Sequence, residues 1–395
     1  MLYRFKLKPF IAECLNFLDD RYAGMKTECS FYVCSNDICV LYATEEFVIN
    51  TLVTILIAIV IFGSLILIHE CGHFMTARMF GVGINEFSIG MGPKIISKIS
   101  KKSGTAYSLR LLPIGGYVSM KGEDEDVSDP DSFSSKPAWQ RMIIIIAGSV
   151  MNILLGLILV IVMVLSSKNL GSTVIYKFTS DDAVSAESGL EENDRIVKVG
   201  NTSVHTSTEL AYEIMHDGTE PIDVTVIRNG EKIVISDVVF PTAVSSGIVI
   251  GDLDFYVYAE AKTPLNVLKQ SYFQSVSYIK MIWESLFDLV TGKYGMEQMS
   301  GPVGITKEIG SAASAGAVNL LYLCAVIALN LGFVNMLPLP ALDGGRFFFI
   351  LIELIRGKPI NPKYEGYVHL AGMVLLLALM VIITFGDIRK LITGA

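Results

Sequence analysis

Ile55-Leu56-Ile57-Ala58-Ile59-Val60-Ile61-Phe62-Gly63-Ser64-Leu65-Ile66-Leu67-Ile68-His69-Glu70-Cys71-Gly72-His73 decides the architecture. With the residues from 47 onward, the run up to Ile68 is uncharged and long enough to cross a hydrocarbon core, which takes about 20 apolar helical residues. It starts too late and is too long for a cleavable signal peptide, so a retained span over 47–68 is predicted. Two histidines and a glutamate follow at once. Histidines at i and i+4 share one helical face about one turn apart, so both imidazoles can reach one Zn2+, and Glu70 beside them can hold an attacking water. Ionisable residues at membrane depth are costly and mark function. The bland alternative is that the helix has already left the bilayer and the three side chains are solvated.

The composition of the whole chain agrees with a membrane reading. Its 395 residues are 52% hydrophobic and only 18% charged, with a mean hydropathy of +0.52, whereas soluble domains carry about 25% charged residues. The net charge of −8, from 39 acidic and 31 basic residues without a basic block, excludes a nucleic-acid binder. Six cysteines are too few for a disulfide scaffold. Three further uncharged stretches, 142–165, 316–337 and 367–386, complete a polytopic protein of four transmembrane helices. Residues 74–141 hold nine Lys/Arg in 68 positions against eleven in the 150 positions of 166–315, which puts the denser loop in the cytoplasm. Both termini are then extracytoplasmic, and the N-terminal side of the first span, with Glu28, Asp37, Glu45 and Glu46, agrees.

Between the second and third spans the composition changes. Short β-branched runs, Val224-Thr225-Val226-Ile227 and Lys232-Ile233-Val234-Ile235, flank Asn229-Gly230, a hairpin turn signal. Residues 170–243 are expected to form a small soluble α/β domain. Residues 264–291 read as an amphipathic helix at the membrane surface with Phe273, Trp283 and Leu286 as apolar anchors. In the cytoplasmic region 74–141, Tyr107, Leu109 and Leu111 alternate with smaller or polar residues ahead of Gly115-Gly116. This predicts a β-hairpin whose edge can pair with an extended peptide, or an ordinary hairpin with structural glycines.

A catalytic zinc site of the His-Glu-x-x-His kind takes a third protein ligand, commonly a carboxylate, and leaves one position open. The best placed acid is Asp343, in Asn335-Met336-Leu337-Pro338-Leu339-Pro340-Ala341-Leu342-Asp343-Gly344-Gly345. Pro338 and Pro340 forbid a regular helix, Gly344-Gly345 permit tight turns, and broken backbone at membrane depth implies a hydrated pocket. A second role for Asp343, as cap of a helix starting near Arg346, is compatible with ligation.

These residues resemble the site-2 protease family of intramembrane zinc metalloproteases, and most closely its bacterial, single-PDZ branch that cleaves anti-sigma factors. Pro113-Ile114-Gly115-Gly116-Tyr117-Val118, Ala147-Gly148-Ser149-Val150-Met151-Asn152 and Ser300-Gly301-Pro302-Val303-Gly304-Ile305 extend the likeness, which covers about residues 50–390. The resemblance implies Zn2+ held by His69, His73 and Asp343 near the cytoplasmic side of the cell membrane. Glu70 is then the general base, taking a proton from the attacking water and returning it to the leaving amine. It also implies substrate contacts at Asn335 and along Gly115, Gly116 and Tyr117, with interhelical packing at least as good a role for Asn152. The stretch Ala186–Gly200 is similar to the family's PDZ segment, so 170–243 is expected to be a PDZ-like extracytoplasmic domain. The implied partners are the lipid bilayer, single-span substrates such as anti-sigma factors or signal-peptide remnants, and an upstream site-1 protease that cuts the same substrate first.

Two other functions fit the residues less fully: a membrane-anchored zinc peptidase acting on exposed segments, whose third ligand would be a loop Glu or His, and a non-enzymatic PDZ scaffold. His205, His216 and His369 read as structural or solvated. Residues 1–46, with Cys14, Cys29, Cys34 and Cys39, are an N-terminal extension to which the sequence assigns no role. The core of the enzyme is expected in two halves, 47–165 and 300–390.

Overall fold

The computed structural model describes residues 38–123, 129–245, 248–292, 299–358 and 360–393. Most of the N-terminal extension, including Cys14, Cys29 and Cys34, lies outside the described residues. The first helix, α1 (Ile38–Met79), leads through two long strands, β1 (Ile84–Ile99) and β2 (Ala106–Met120), to α2 (Ala138–Ser166). Among the described residues, four helices are long and apolar enough to cross a membrane: 50–79, 138–166, 317–335 and 363–393. The first extends beyond the expected 47–68: α1 carries both histidines on the helix, as their spacing requires, and runs on to Met79.

α2 is the hub of the membrane unit, because small residues let other helices come close to it. A Cβ on Gly72 of α1 would lie 2.9 Å from Gly148 Cα, and one on Gly332 would lie 2.8 Å from Ser149 O. Inside lipid there is no hydrophobic drive between helices, so close packing of this kind supplies the attraction. Gly72 therefore fixes α1 against α2 at the very turn that carries His69 and His73.

β1 and β2 pair in an unusual register. Phe87 is opposite both Val118 and Tyr107, Ile89 opposite both Gly116 and Leu109, and Ile96 again opposite Leu109. The two strands thus fold back into four segments in the order 116–120, 84–89, 106–112, 94–99. Gly115, at φ +88, makes the bend that sets the first of these at the inner edge. The far segments expose Ile95, Ile96, Ile99, Leu111 and Leu112.

A second unit is an antiparallel sheet of β3 (Leu170–Phe178), β4 (Arg195–Val199), β5 (Thr202–Ser203), β6 (Ile222–Arg228), β7 (Glu231–Val238) and β10 (Phe255–Glu260). The strand order is β10-β3-β4-β6-β7, with β5 beside β4, and a separate hairpin is formed by β8 (Thr242–Ser245) and β9 (Ile248–Gly251). Asn229 (φ 55) and Gly230 (φ 86) make the two-residue turn between β6 and β7, the left-handed pair that matches strand twist. One helix, α3 (Ser207–Asp217), packs on the sheet through Leu210 and Ile214, and its capping box joins Thr206 to Glu209. The sheet corrects the expected boundary at 243: its outer strand, 255–260, pairs with β3. Hairpin spacing alone does not reveal a strand that returns after the intervening residues 239–254.

α4 (Pro264–Thr291) begins and ends as the sequence indicates, with Pro264 at its first turn and Gly292 (φ 75) after its last. Its buried face is largely polar, however: Gln270, Ser271, Gln274, Ser275 and Ser277 lie beside Val267 and Tyr278. Leu265, Leu268, Tyr272, Val276, Trp283 and Phe287 are exposed. Of the expected anchors, Phe273 stacks on His205 at 3.9 Å and Trp283 meets Phe333 at 6.3 Å, so they bridge two units rather than share one apolar face. The chain continues through α5 (Pro302–Ala315), α6 (Ala317–Asn335), α7 (Asp343–Arg356) and α8 (Pro362–Thr393). The Ser300–Ile305 motif has a visible purpose. The buried carboxylate of Asp387 on α8 accepts the Gly304 N–H at 2.8 Å, and Gly301 and Gly304 leave room for it.

Candidate metal centre

His69 and His73 are buried on the inner face of α1 with their Nε2 atoms 3.2 Å apart. The third group comes from some 270 residues later. Asp343 Oδ2 lies 3.1 Å from His69 Nε2 and 3.4 Å from His73 Nε2. One ligand atom from each of the three residues falls within 4.8 Å of the others.

The loop that delivers Asp343 is held from several sides. α6 ends at Asn335, and the prolines turn the backbone until Leu342, in extended conformation, starts α7 with Asp343 as its first residue, three positions earlier than expected. The tight left-handed turn falls not on Gly344 or Gly345 but on Ala341, at φ 72. The glycines serve close approach instead: a side chain on Gly344 would collide with the carbonyls of Met336 and Leu337, and one on Gly345 with that of Leu339. His369 of α8 accepts the Ala341 N–H at 2.9 Å, which gives a structural role to a residue expected to be only that. Arg346 pairs with Glu123 at the end of β2, and Arg141 of α2 pairs with Glu353 of α7 at 2.6 Å.

The donor set fits Zn2+, which takes imidazole nitrogen and carboxylate oxygen and commonly keeps a fourth position open in catalytic sites. Two observations on the protein itself support the fit. Asp343 Oδ2 is buried with no hydrogen-bond partner, although both imidazoles stand at ion-pair distance, so its lone pairs face the shared space without an N–H aimed at them. Gly148 of α2 also borders that space: a Cβ there would sit 2.8 Å from His69 Nε2 and collide with His73 Nε2. The ring of His73 is fixed by Nδ1, 2.8 Å from Ile144 O. Since a carbonyl only accepts, Nδ1 carries the proton and Nε2 presents a lone pair.

Glu70 stands beside these ligands, within electrostatic reach of His69, His73 and Asp343, and accepts a hydrogen bond from the backbone of Val118. The inner edge of the β1/β2 sheet therefore borders the same space, and a Cβ on Gly116 would lie 3.6 Å from Glu70 Cγ. Of the other residues singled out, Gly115 forms the bend. Tyr117 turns its hydroxyl away to Glu86 (2.8 Å) and Arg110 (2.5 Å), and Asn335 is partly buried at the end of α6. Sequence reasoning undervalued Ala147–Asn152: Gly148 and Asn152, four apart in an apolar run, share the face turned to the histidines. Asn152 Nδ2 lies 3.3 Å from His69 Nδ1. A buried polar residue one turn beyond a glycine was the available signal.

A helical membrane unit with two histidines, a neighbouring glutamate and a distant aspartate brought to one point defines a zinc metalloprotease of the membrane-embedded class. Comparison with known proteins agrees: residues 57–379 match peptidase family M50, and the chain belongs to that family, the site-2 proteases. A putative zinc metalloprotease of Clostridium acetobutylicum is 36% identical, over 85% of this chain and 97% of its own length. The regulator of sigma-W protease RasP of Bacillus subtilis is 31% identical, over 86% and 99%. The zinc metalloprotease RasP of Geobacillus kaustophilus is also 31% identical, over 87% and 99%. The protein is a zinc-dependent metalloendopeptidase.

Proposed function

We propose that this protein hydrolyses a peptide bond in or near the transmembrane segment of single-span membrane proteins, with His69, His73 and Asp343 as zinc ligands and Glu70 as general base. The observation that carries the reading is the convergence of Asp343 on the His pair from the other half of the chain. Zinc at such a site supplies Lewis-acid polarisation of the scissile carbonyl and acidification of its water. Glu70 holds that water, accepts its proton and passes it to the leaving amine. A transmembrane peptide has its carbonyls hydrogen-bonded and must unwind before attack, so an acceptor for extended backbone is needed. The segment 116–118, with one edge paired to residues 86–89 and Val118 turned toward Glu70, supports strand addition of the unwound substrate there. Asn335, at the end of the helix leading into the Asp343 loop, is suited to contact the same substrate.

The name of the Bacillus subtilis relative, a regulator of sigma-W protease, supports anti-sigma factors as one substrate class, cut after an earlier protease has removed their outer part. Signal-peptide remnants are a second class of the same chemistry. The sheet of 170–260 is read as a single PDZ-like unit on the extracytoplasmic side, where it gates access by size, with both chain termini on that side and the zinc site near the cytoplasmic face of the cell membrane. The test is a comparison of membrane-protein fragments in cells making wild type or Glu70→Gln enzyme. Accumulation of single-span stubs with the variant is expected, together with retained zinc and a turnover lower by about 10²–10⁴-fold. Undiminished cleavage by Glu70→Gln would refute the reading.

A further inference from the structure

Besides Asp343 Oδ2, the site borders a second polar group whose bonding is left incomplete. Asn152, on α2, is wholly buried (0% exposed), and its Oδ1 has no hydrogen-bond partner. Its Nδ2 faces His69 Nδ1 at 3.3 Å. If the amide donated in this orientation, Nδ1 would be the acceptor, and the imidazole proton would sit on Nε2, the atom 3.1 Å from Asp343 Oδ2. His69 would then offer a metal no lone pair. A buried amide oxygen without a partner also costs about 1–3 kcal/mol. A half-turn of the amide about its Cγ bond interchanges oxygen and nitrogen without moving the rest of the side chain. It resolves the tautomer conflict: Oδ1 gains the Nδ1–H of His69 as its donor, and Nε2 is left with its lone pair.

We propose that Asn152 is the positioning residue of the metal site, accepting the Nδ1–H of His69 through Oδ1 and thereby fixing the tautomer that leaves Nε2 free to bind zinc. This rests on the ligand assignment proposed above. The symmetry with His73 supports it. Both rings have their outer nitrogen against a polar group of α2, the Ile144 carbonyl at 2.8 Å for His73 and the Asn152 amide at 3.3 Å for His69. Gly148, midway between the two, lets the rings reach that helix. α2 therefore carries no ligand itself and yet sets the orientation of two. Such outer partners raise ligand basicity and are worth about 10–100-fold in metal affinity.

The test compares full-length wild type, Asn152→Leu, Asn152→Asp and His69→Ala, purified in detergent and stripped of metal. Zinc affinity is read by competition with a chromophoric chelator and metal-free stability by thermal unfolding. Leu keeps the volume and removes the acceptor; Asp keeps the acceptor and removes the donor. Asn152→Leu is expected to weaken zinc binding about 10–100-fold while leaving metal-free unfolding near wild type, and Asn152→Asp to restore binding to within about threefold. Wild-type affinity in Asn152→Leu, or equal losses in the Leu and Asp variants, would overturn the proposal. His69→Ala separates the two levels. Undiminished affinity there sinks the ligand assignment, whereas loss there with none in Asn152→Leu sinks only the role of Asn152. Should a variant fail to fold, 15N-histidine NMR of the metal-free wild type decides: a proton on His69 Nδ1 supports the proposal, and one on Nε2 refutes it.

Discussion

At the scale of single residues, the site is built as much from what is missing as from what is present. Gly148 and Gly72 place backbone where side chains would otherwise stand, and the ligand space lies against that backbone. Gly148→Ala is therefore expected to drive a methyl group into both imidazoles. Zinc content should fall to a small fraction of one per chain, as measured by metal analysis of the purified protein, while the helices remain folded. One zinc per chain in Gly148→Ala would mean that the rings have room the geometry denies them. That the two histidines, Glu70 and Asp343 come together was legible in the sequence, because the His-Glu-x-x-His spacing and an acid following an uncharged, proline-broken run point to one place. The residues that orient them were less legible, since a glycine or an asparagine in a membrane helix has many uses.

Elements place these residues, and the β1/β2 sheet shows how. Glu86 sits where three of its four segments meet, and its carboxyl is partly buried, which by itself would raise its pKa. Hydrogen bonds from Ser108, Tyr117, Lys94 and Arg110 outweigh burial and hold it at about 2, below an ordinary 4.5. A depressed carboxylate contributes stability above its unfolded value and loses it as pH falls toward its folded one. Protection of β1 and β2 amides from hydrogen exchange should thus be level above about pH 5 and decline from 4.5 toward 2. In Glu86→Gln that decline should be absent; a parallel decline would assign it elsewhere. The Asn229-Gly230 turn and the extent of α4 could be read from the chain because local chemistry specifies them, whereas the hairpin expected to turn at Gly115-Gly116 is instead a bend within β2, both of whose halves pair with β1. The folding of β1 and β2 into four segments, the return of 255–260 to the sheet and the polar buried face of α4 could not. Each depends on what lies opposite in space, which period and composition do not encode.

At the scale of the molecule, α4 joins the sheet of residues 170–260 to the membrane helices. On one side Tyr212 of α3 donates to Glu284 at 2.7 Å, Lys280 pairs with Glu213, and His216 meets Asp288 at 3.4 Å. On the other side Tyr278 meets Tyr322 and Trp283 meets Phe333, both on α6. Burial and then the Glu284 contact push the Tyr212 phenol far above its usual pKa, so it remains a donor at all physiological pH. A double-mutant cycle of Tyr212→Phe with Glu284→Gln should give a coupling of about 1–2 kcal/mol in thermal unfolding. Additive effects would show that α4 leans on the sheet without being held by this bond.

All of these depend on two remote parts of the chain gripping one metal. The direct measurement is zinc-edge X-ray absorption on the full-length enzyme and its Asp343→Ala variant. Wild type should show one zinc with nitrogen and oxygen neighbours at about 2.0–2.2 Å and no sulfur near 2.3 Å, and the variant should lose the metal or one protein oxygen from its shell. A sulfur neighbour, which would bring in Cys71, or an unchanged spectrum in Asp343→Ala, would contradict the account.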